Sequence, residues 1–262
     1  PHECSSAASD VYKRQDPEFI NELKALKADL FVVVAFRMLP EVVWGMPELG
    51  TINLHASLLP QYRGAAPINW ALINGEKETG VTTFFIEREI DTGAIIEQRR
   101  VEITENMNVG ELYNSLMQIG AKTTLSTVKK IMNDDAKGIE QDKVDFRGSL
   151  KSAPKIFKPT CQADFSKKVE EVHNFCRGLD PYPGAWTSLK TDNGESITFK
   201  LFNTSKTHIP VTSKNELITN NNGILFPCSD FYLRVDEIQM QGKRKMSSKD
   251  FLLGHTISSF SL

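Results

Sequence analysis

The chain has 262 residues, 40% hydrophobic and 24% charged, with a formal net charge of -2, which suits a globular protein of one large or, better, two modest domains. That charge balance argues against a protein that coats nucleic acid by bulk electrostatics, and no apolar run approaches the roughly 20 residues that cross a bilayer. Cys4, Cys161, Cys176 and Cys228 fall at neither metal-ligand nor redox-pair spacing, so reduced thiols, no metal, and a soluble cytoplasmic protein are expected.

The run SSAASDVYKRQ (Ser5 to Gln15) has no apolar period and resembles a translated sequencing adapter, so residues 1–15 are set aside from the fold. On this reading the natural protein enters at about Asp16, with N-terminal residues of its own missing. Phe19, Ile20, Leu23 and Leu26 follow at helical spacing, and the apolar run Leu30 to Phe36 suits a buried parallel strand. In the strand Thr51 to Leu58, oily Ile52, Leu54, Ala56 and Leu58 alternate with polar Asn53, His55 and Ser57. A helix opens at Pro67 and can stop at Gly75; a strand over Val81 to Glu87, the turn Ile90 to Gly93 and a strand over Ala94 to Ile103 come next. Asn108 and Glu111, at capping-box spacing, open a long helix whose buried stripe is Val109, Leu112, Leu116, Ile119 and Val128. Strands alternating with helices predict a doubly wound, Rossmann-like parallel sheet.

From Asp134 to Pro159 the chain turns polar and Lys-rich, which predicts a linker. A helix over Lys167 to Arg177, stopping at Gly178, leads through PYPGAW into short strands at Ser196 to Phe202, Glu216 to Ile218, Gly223 to Pro227 and Phe231 to Met240. That spacing suits a small OB-like barrel. The expected organisation is therefore an α/β catalytic domain over 16–134, a linker over 135–159 and a barrel over 160–262.

Residues two apart in a strand point the same way, so Asn53 and His55 share a polar face at the strand edge where open α/β sheets bind ligands. Such a pair can equally satisfy loop hydrogen bonds. The functional reading gains from SLLPQYRGAAP, far longer than a plain connection needs, and from Asp91 in EIDTG, placed to reach His55. An Asn, His and Asp suit acyl transfer between amines: the amide stabilises the oxyanion, and the imidazole, oriented by the carboxylate, moves a proton between nitrogens. A Ser57-His55 pair would instead suggest hydrolysis, but no G-x-S-x-G elbow accompanies it.

TINLHASLLPQYRGAAPINWALINGE, EIDTG and the upstream VVVAFRMLP resemble the 10-formyltetrahydrofolate-dependent formyltransferases, from about Asp16 to the C-terminus. The resemblance implies that Asn53, His55 and Asp91 are catalytic, that Ser57, Leu58, Leu59 and Pro60 border the folate, and that Arg37, Met38 and Leu39 lie along the pterin. Ordinary core packing is the alternative for Phe36, Met38 and Leu39. APKIF, FCRGLDPYPGAW and GKRKMSSKDFL resemble the tRNA-binding barrel of the members that formylate methionyl-tRNA. They imply 10-formyltetrahydrofolate as formyl donor, initiator methionyl-tRNA as acceptor, no membrane partner and a monomer. Lys243, Arg244 and Lys245 are then candidate phosphate contacts, although a short basic run is also an ordinary solvated surface; the linker lysines Lys151, Lys155 and Lys158 carry the same two readings. Rival readings are a formyltransferase acting on a sugar nucleotide or glycinamide ribonucleotide, and a tRNA-binding fragment without catalysis.

Overall fold

The structure, a computed structural model, describes residues 16–34, 39–145, 148–191, 194–220, 223–257 and 260–261. The adapter-like stretch 1–15 and two of the expected pterin neighbours, Arg37 and Met38, lie outside the described residues, as do Phe36 and Cys4. The chain forms two compact units: one runs to Ala65 and adds Gly80–Arg100 and Leu116–Ala153; the other comprises Ala66–Thr79, Val101–Ser115 and the chain from Pro154 onward.

In the first unit, Asp16 caps helix α1 (Pro17–Ala25) by accepting from the Glu18 N–H. Strand β1 (Phe31–Val34), the short helix α2 (Glu41–Trp44) and strand β2 (Thr51–His55) follow. β4 (Glu78–Phe85) and β5 (Ile95–Glu102) complete a sheet of order β1-β2-β4-β5. β1 and β2 are parallel, as the Rossmann-like expectation requires, with Val33 opposite Asn53. β4 runs antiparallel to β2, with Phe84 opposite Asn53 and Thr82 opposite His55. The intervening chain includes helix α3 (Pro67–Ile73), which belongs to the other unit. The run containing β1 was expected to be buried on both faces, yet Val32 is 44% and Val34 57% exposed. Among the described residues β1 ends the sheet, and a sequence shows that a side chain is apolar without showing what covers it. Phe19 of α1 and its C-cap Leu26 are exposed as well.

Asn108 and Glu111 open helix α4 (Val109–Met132) with the reciprocal bonds of a capping box: the Glu111 N–H donates to Asn108 Oδ1 at 2.9 Å, and the Asn108 N–H to Glu111 Oε2 at 3.0 Å. Leu112 and Leu116 are buried as expected, but the stripe continues through Thr123 and Thr127. The Thr127 hydroxyl shares a 2.7 Å hydrogen bond with that of Thr83 on β4, so an apolar-only reading misses part of the packed face. Beside it, buried Glu97 of β5 meets Lys130 at 2.8 Å, Arg99 at 2.7 Å and the Ser126 hydroxyl at 2.8 Å. Burial raises the Glu97 pKa, but these donors outweigh it and hold the carboxyl below its usual range.

The second unit is built on helix α5 (Val169–Arg177) and an antiparallel sheet. Its strands are β7 (Ala185–Thr191), β8 (Ser196–Pro210), β9 (Ile218–Asn220), β10 (Gly223–Pro227), β11 (Phe231–Met240), β12 (Met246–Ser247) and β13 (Phe260–Ser261). The main path is β13-β7-β8-β11-β10-β9, with β12 on β11. β10 and β11 match the expected spans, but β8 extends eight residues past Phe202 and β7 was not anticipated, because PYPGAW reads as a turn. Val172 and Cys176 from α5 pack with Phe199, Leu201, Phe226, Leu233, Val235 and Phe251 in one core. Cys161, Cys176 and Cys228 are free and buried. Burial raises all three thiols, Cys228 to about 12.

Candidate active site

The polar face of β2 is the more buried one: Asn53 is 5% exposed, His55 6% and Ser57 fully covered. Burial of polar side chains at the strand's end must be matched by partners. His55 Nε2 lies 2.8 Å from the Tyr62 carbonyl. A carbonyl can only accept, so Nε2 carries a proton, and the nitrogen left for proton transfer is Nδ1. Asp91 Oδ2 stands 3.7 Å from that Nδ1 and accepts a 3.0 Å bond from the Gly64 N–H. The three residues singled out from the sequence are therefore brought together within one unit. Asn53 Oδ1 is buried without a hydrogen-bond partner among the described residues.

Ser57, Leu58, Leu59 and Pro60 form a turn wired to the sheet. The Ser57 hydroxyl donates to the Gln61 carbonyl at 2.6 Å; it is not paired with His55, so no Ser-His nucleophile exists here. Thr82 of β4 is the hub: its hydroxyl donates to the Ser57 carbonyl and accepts from the Leu59 N–H and from Gln98 Nε2. Leu59 sits in a core with Phe84 and Ile95, and Leu59-Pro60 is a cis peptide. With these side chains turned inward, what the turn offers a ligand is mainly backbone. Leu39 is half-buried just ahead of α2.

Sequence reasoning missed Tyr62, Arg63, Gly64 and Gln141. Arg63–Gly64 forms a two-residue strand, β3, parallel to β6 (Ser152–Ala153). The approach is so close that a Cβ on Gly64 would meet the Ala153 carbonyl oxygen at 2.5 Å, and Gly64 has φ +126°. Tyr62 and Asp91, although not glycines, are left-handed at φ 58° and 56°. The Tyr62 N–H donates to the Lys151 carbonyl at 2.7 Å, and Gln61 grips the Ser149 carbonyl and the Lys151 N–H. The available signals were Gly64 after an Arg in an oversized loop and Gly93 in EIDTG, where a Cβ would meet the Phe85 carbonyl oxygen at 1.8 Å.

On the second unit, the segment FCRGLDPYPGAW serves the fold. Arg177 donates to Asn174 and to the carbonyls of Thr104 and Met107, while Asp180 accepts from the Asn203 N–H. In the basic run, Lys245 is committed to Glu237 at 2.6 Å and lies 5.2 Å over the Phe202 ring. Lys243 and Arg244 are exposed. A cavity of about 450 Å³ beside them is lined by Lys158, Trp186, Lys200, Gln239, Gln241 and Gly242, among others. Lys155 stacks on Phe157 at 5.3 Å and the Lys158 carbonyl accepts from Trp186 Nε1. Among the described residues no group of His, Cys, Asp or Glu is arranged to hold a metal, and no helix is long and apolar enough to cross a membrane.

Residues 3–128 match the family described as formyl transferase, and residues 155–256 match formyl transferase, C-terminal domain. The methionyl-tRNA formyltransferase of Azobacteroides pseudotrichonymphae is 49% identical over 93% of this chain and 76% of its own length. That of Bacteroides thetaiotaomicron is 47% identical over 94% and 77%. The chain belongs to the methionyl-tRNA formyltransferase family. Among solved structures, HypX from Aquifex aeolicus, in complex with tetrahydrofolic acid, superposes with a TM-score of 0.67 at 20% identity, over 90% of this chain and 40% of that one. An N-formyltransferase from Helicobacter canadensis gives a TM-score of 0.55 at 22% identity, over 74% and 66%. These likenesses establish the fold of the formyltransferase; its relation to the methionyl-tRNA enzymes rests on the sequence identity.

Proposed function

We propose that this formyltransferase moves the formyl group of 10-formyltetrahydrofolate to the α-amino group of methionyl-initiator tRNA. The observation that carries the mechanism is the juxtaposition of Asn53, His55 and Asp91 around one polar face. The α-amino nitrogen attacks the formyl carbon, and the charge that develops on oxygen is met by the Asn53 amide; turned by 180°, that amide places its NH2 where its unpaired oxygen now stands. His55 Nδ1, left basic because Nε2 is committed to Tyr62, takes the proton of the attacking amine. The imidazolium so formed faces the Asp91 carboxylate at 3.7 Å. The C–N bond to the folate then breaks, and His55 returns the proton to the departing nitrogen. Backbone of the turn over 57–60 and of the segment containing Arg37, Met38 and Leu39 borders the folate on this reading.

For the RNA, Lys243 and Arg244 supply exposed charge and the neighbouring Lys158–Trp186–Lys200 cavity supplies a planar ring beside two cations, a combination suited to phosphate and base contacts. Lys245 is a weaker candidate, since Glu237 already occupies it. On this reading 16–134 carries catalysis, 135–159 leads to the RNA-binding segment 160–262 while its part up to Ala153 packs in the first unit, and the protein is a monomeric cytoplasmic enzyme without a resident metal. The test is transfer of labelled formyl from 10-formyltetrahydrofolate to methionyl-tRNA by the purified chain, with a glycinamide ribonucleotide and an amino-sugar nucleotide as competing acceptors. Label appearing on methionyl-tRNA alone supports the reading. Label on either small acceptor, or tRNA binding by a folded chain that takes up no folate, replaces it with a rival.

A further inference from the structure

We propose that Gln141, in the stretch that sequence alone reads as linker, is a positioning residue of the active site that acts through Asp91; this rests on the formyl-transfer reading above. Gln141 is 5% exposed, and both ends of its amide are used on the loops that flank His55. Its Nε2 donates to the carbonyls of Asp91 and Gly93, both at 2.9 Å. Its Oε1 accepts from Arg63 Nε at 3.0 Å and Nη2 at 2.6 Å. One planar amide therefore ties the turn that carries Asp91 to the Arg63–Gly64 strand. That strand in turn holds the Asp91 carboxylate through the Gly64 N–H and, one residue earlier, supplies the Tyr62 carbonyl that fixes the His55 tautomer.

The clamp grips where the backbone resists. Asp91 is left-handed at φ 56°, a conformation uncommon outside glycine, asparagine and aspartate and kept where neighbours hold it. Its carbonyl is the group that Gln141 holds. Without that bond the turn is free to relax, and the carboxylate moves relative to His55 Nδ1. A shift of about 1 Å at such a site costs up to roughly 100-fold in rate. Gln141 bonds to neither His55 nor Asn53, so its contribution is geometric.

The experiment is Gln141→Met, which keeps length and volume but removes the amide, assayed in the full chain. The expected result is a roughly 10- to 100-fold fall in kcat, with KM for both substrates within about threefold of the parent. Placed on an Asp91→Asn background, Gln141→Met is expected to cause no further loss, since both changes act on one group. Multiplying losses, or a kcat near the parent's, overturn the proposal. A crystal structure of the variant gives a second arm that needs no activity: the Asp91 carboxylate is expected to leave the Gly64 N–H, and an unmoved Asp91 overturns the inference. If the parent itself transfers no formyl group, the functional reading fails while the crystallographic arm still decides the clamp. Should Gln141→Met not fold, Gln141→Glu keeps the acceptor for Arg63 but sets an oxygen against the two carbonyls, and the same kcat loss and displaced Asp91 are expected.

Discussion

Asn53 Oδ1 is buried without a partner, while its polar neighbours in the fold are satisfied by the protein. Ser57 and Thr82 have their bonds, whereas the Asn53 oxygen has none among the described residues, so on the proposed mechanism Asn53 is the group of this face not already committed to the fold. Asn53→Ala is expected to lower kcat by about 100- to 1,000-fold, as loss of one oxyanion donor does, with circular dichroism and Tm close to the parent's because little bonding within the fold is lost. A rate within about tenfold of the parent at saturating folate would remove Asn53 from the mechanism. At this scale Asn53, His55 and Asp91 were legible, because a period of two and a DTG turn place them. Tyr62 and Gln141 were not: the first acts through its carbonyl, which every residue owns, and the second reaches the site only through tertiary contact.

Helix α5 illustrates how an element can carry a titrating group with no part in chemistry. His173 is 1% exposed, bonded through Nδ1 to the Thr204 hydroxyl at 2.9 Å and through Nε2 to the Glu105 carbonyl at 3.3 Å. Burial lowers its pKa from 6.5 to about 4. The folded protein thus keeps His173 neutral where the unfolded chain would protonate it. The associated stability is fully present above about 6.5 and is lost progressively as pH falls from there toward 4. The lowering corresponds to roughly 3 kcal/mol at the acid end. Urea titrations between about pH 7 and 4 should show this decline in the parent and a shallower one in His173→Gln. Parallel curves would mean that His173 is not held neutral. The helix itself was anticipated within two residues, with its stop at Gly178, whereas β7 was lost because Gly184 and two prolines read as a turn although the strand begins one residue later.

At the scale of the whole molecule, the proposed function gives each reaction partner a candidate surface: the polar edge of the β1-β2-β4-β5 sheet for the formyl donor, and the basic turn after β11 for RNA. The double variant Lys243→Glu, Arg244→Glu is expected to raise KM for methionyl-tRNA. It should also flatten the salt dependence of binding by about one for each phosphate that is no longer neutralised, leaving folate binding and Tm unchanged because both side chains are exposed. An unaltered KM and salt slope would return this run to an ordinary solvated surface. Lys245→Ala is the control for a structural cation, since Lys245 is tied to Glu237 and Phe202.

By itself the sequence carried the resemblance to the family, the candidate trio Asn53, His55 and Asp91, and most elements, the last because periodicity, caps and turns are local properties that neighbours in the chain write together. Only the tertiary structure decided that β4 returns antiparallel to β2, that Thr123 and Thr127 extend the buried face of α4, and that residues 141–153 brace the active-site loops. Those outcomes depend on which hydrogen-bond donors and acceptors meet across stretches of chain as long as the 50 residues from Asp91 to Gln141 and the 90 from Gln61 to Lys151. A linear pattern of polar residues cannot tell a partner of that kind from a solvated side chain, since both are written with the same letters and differ only in what is excluded from around them.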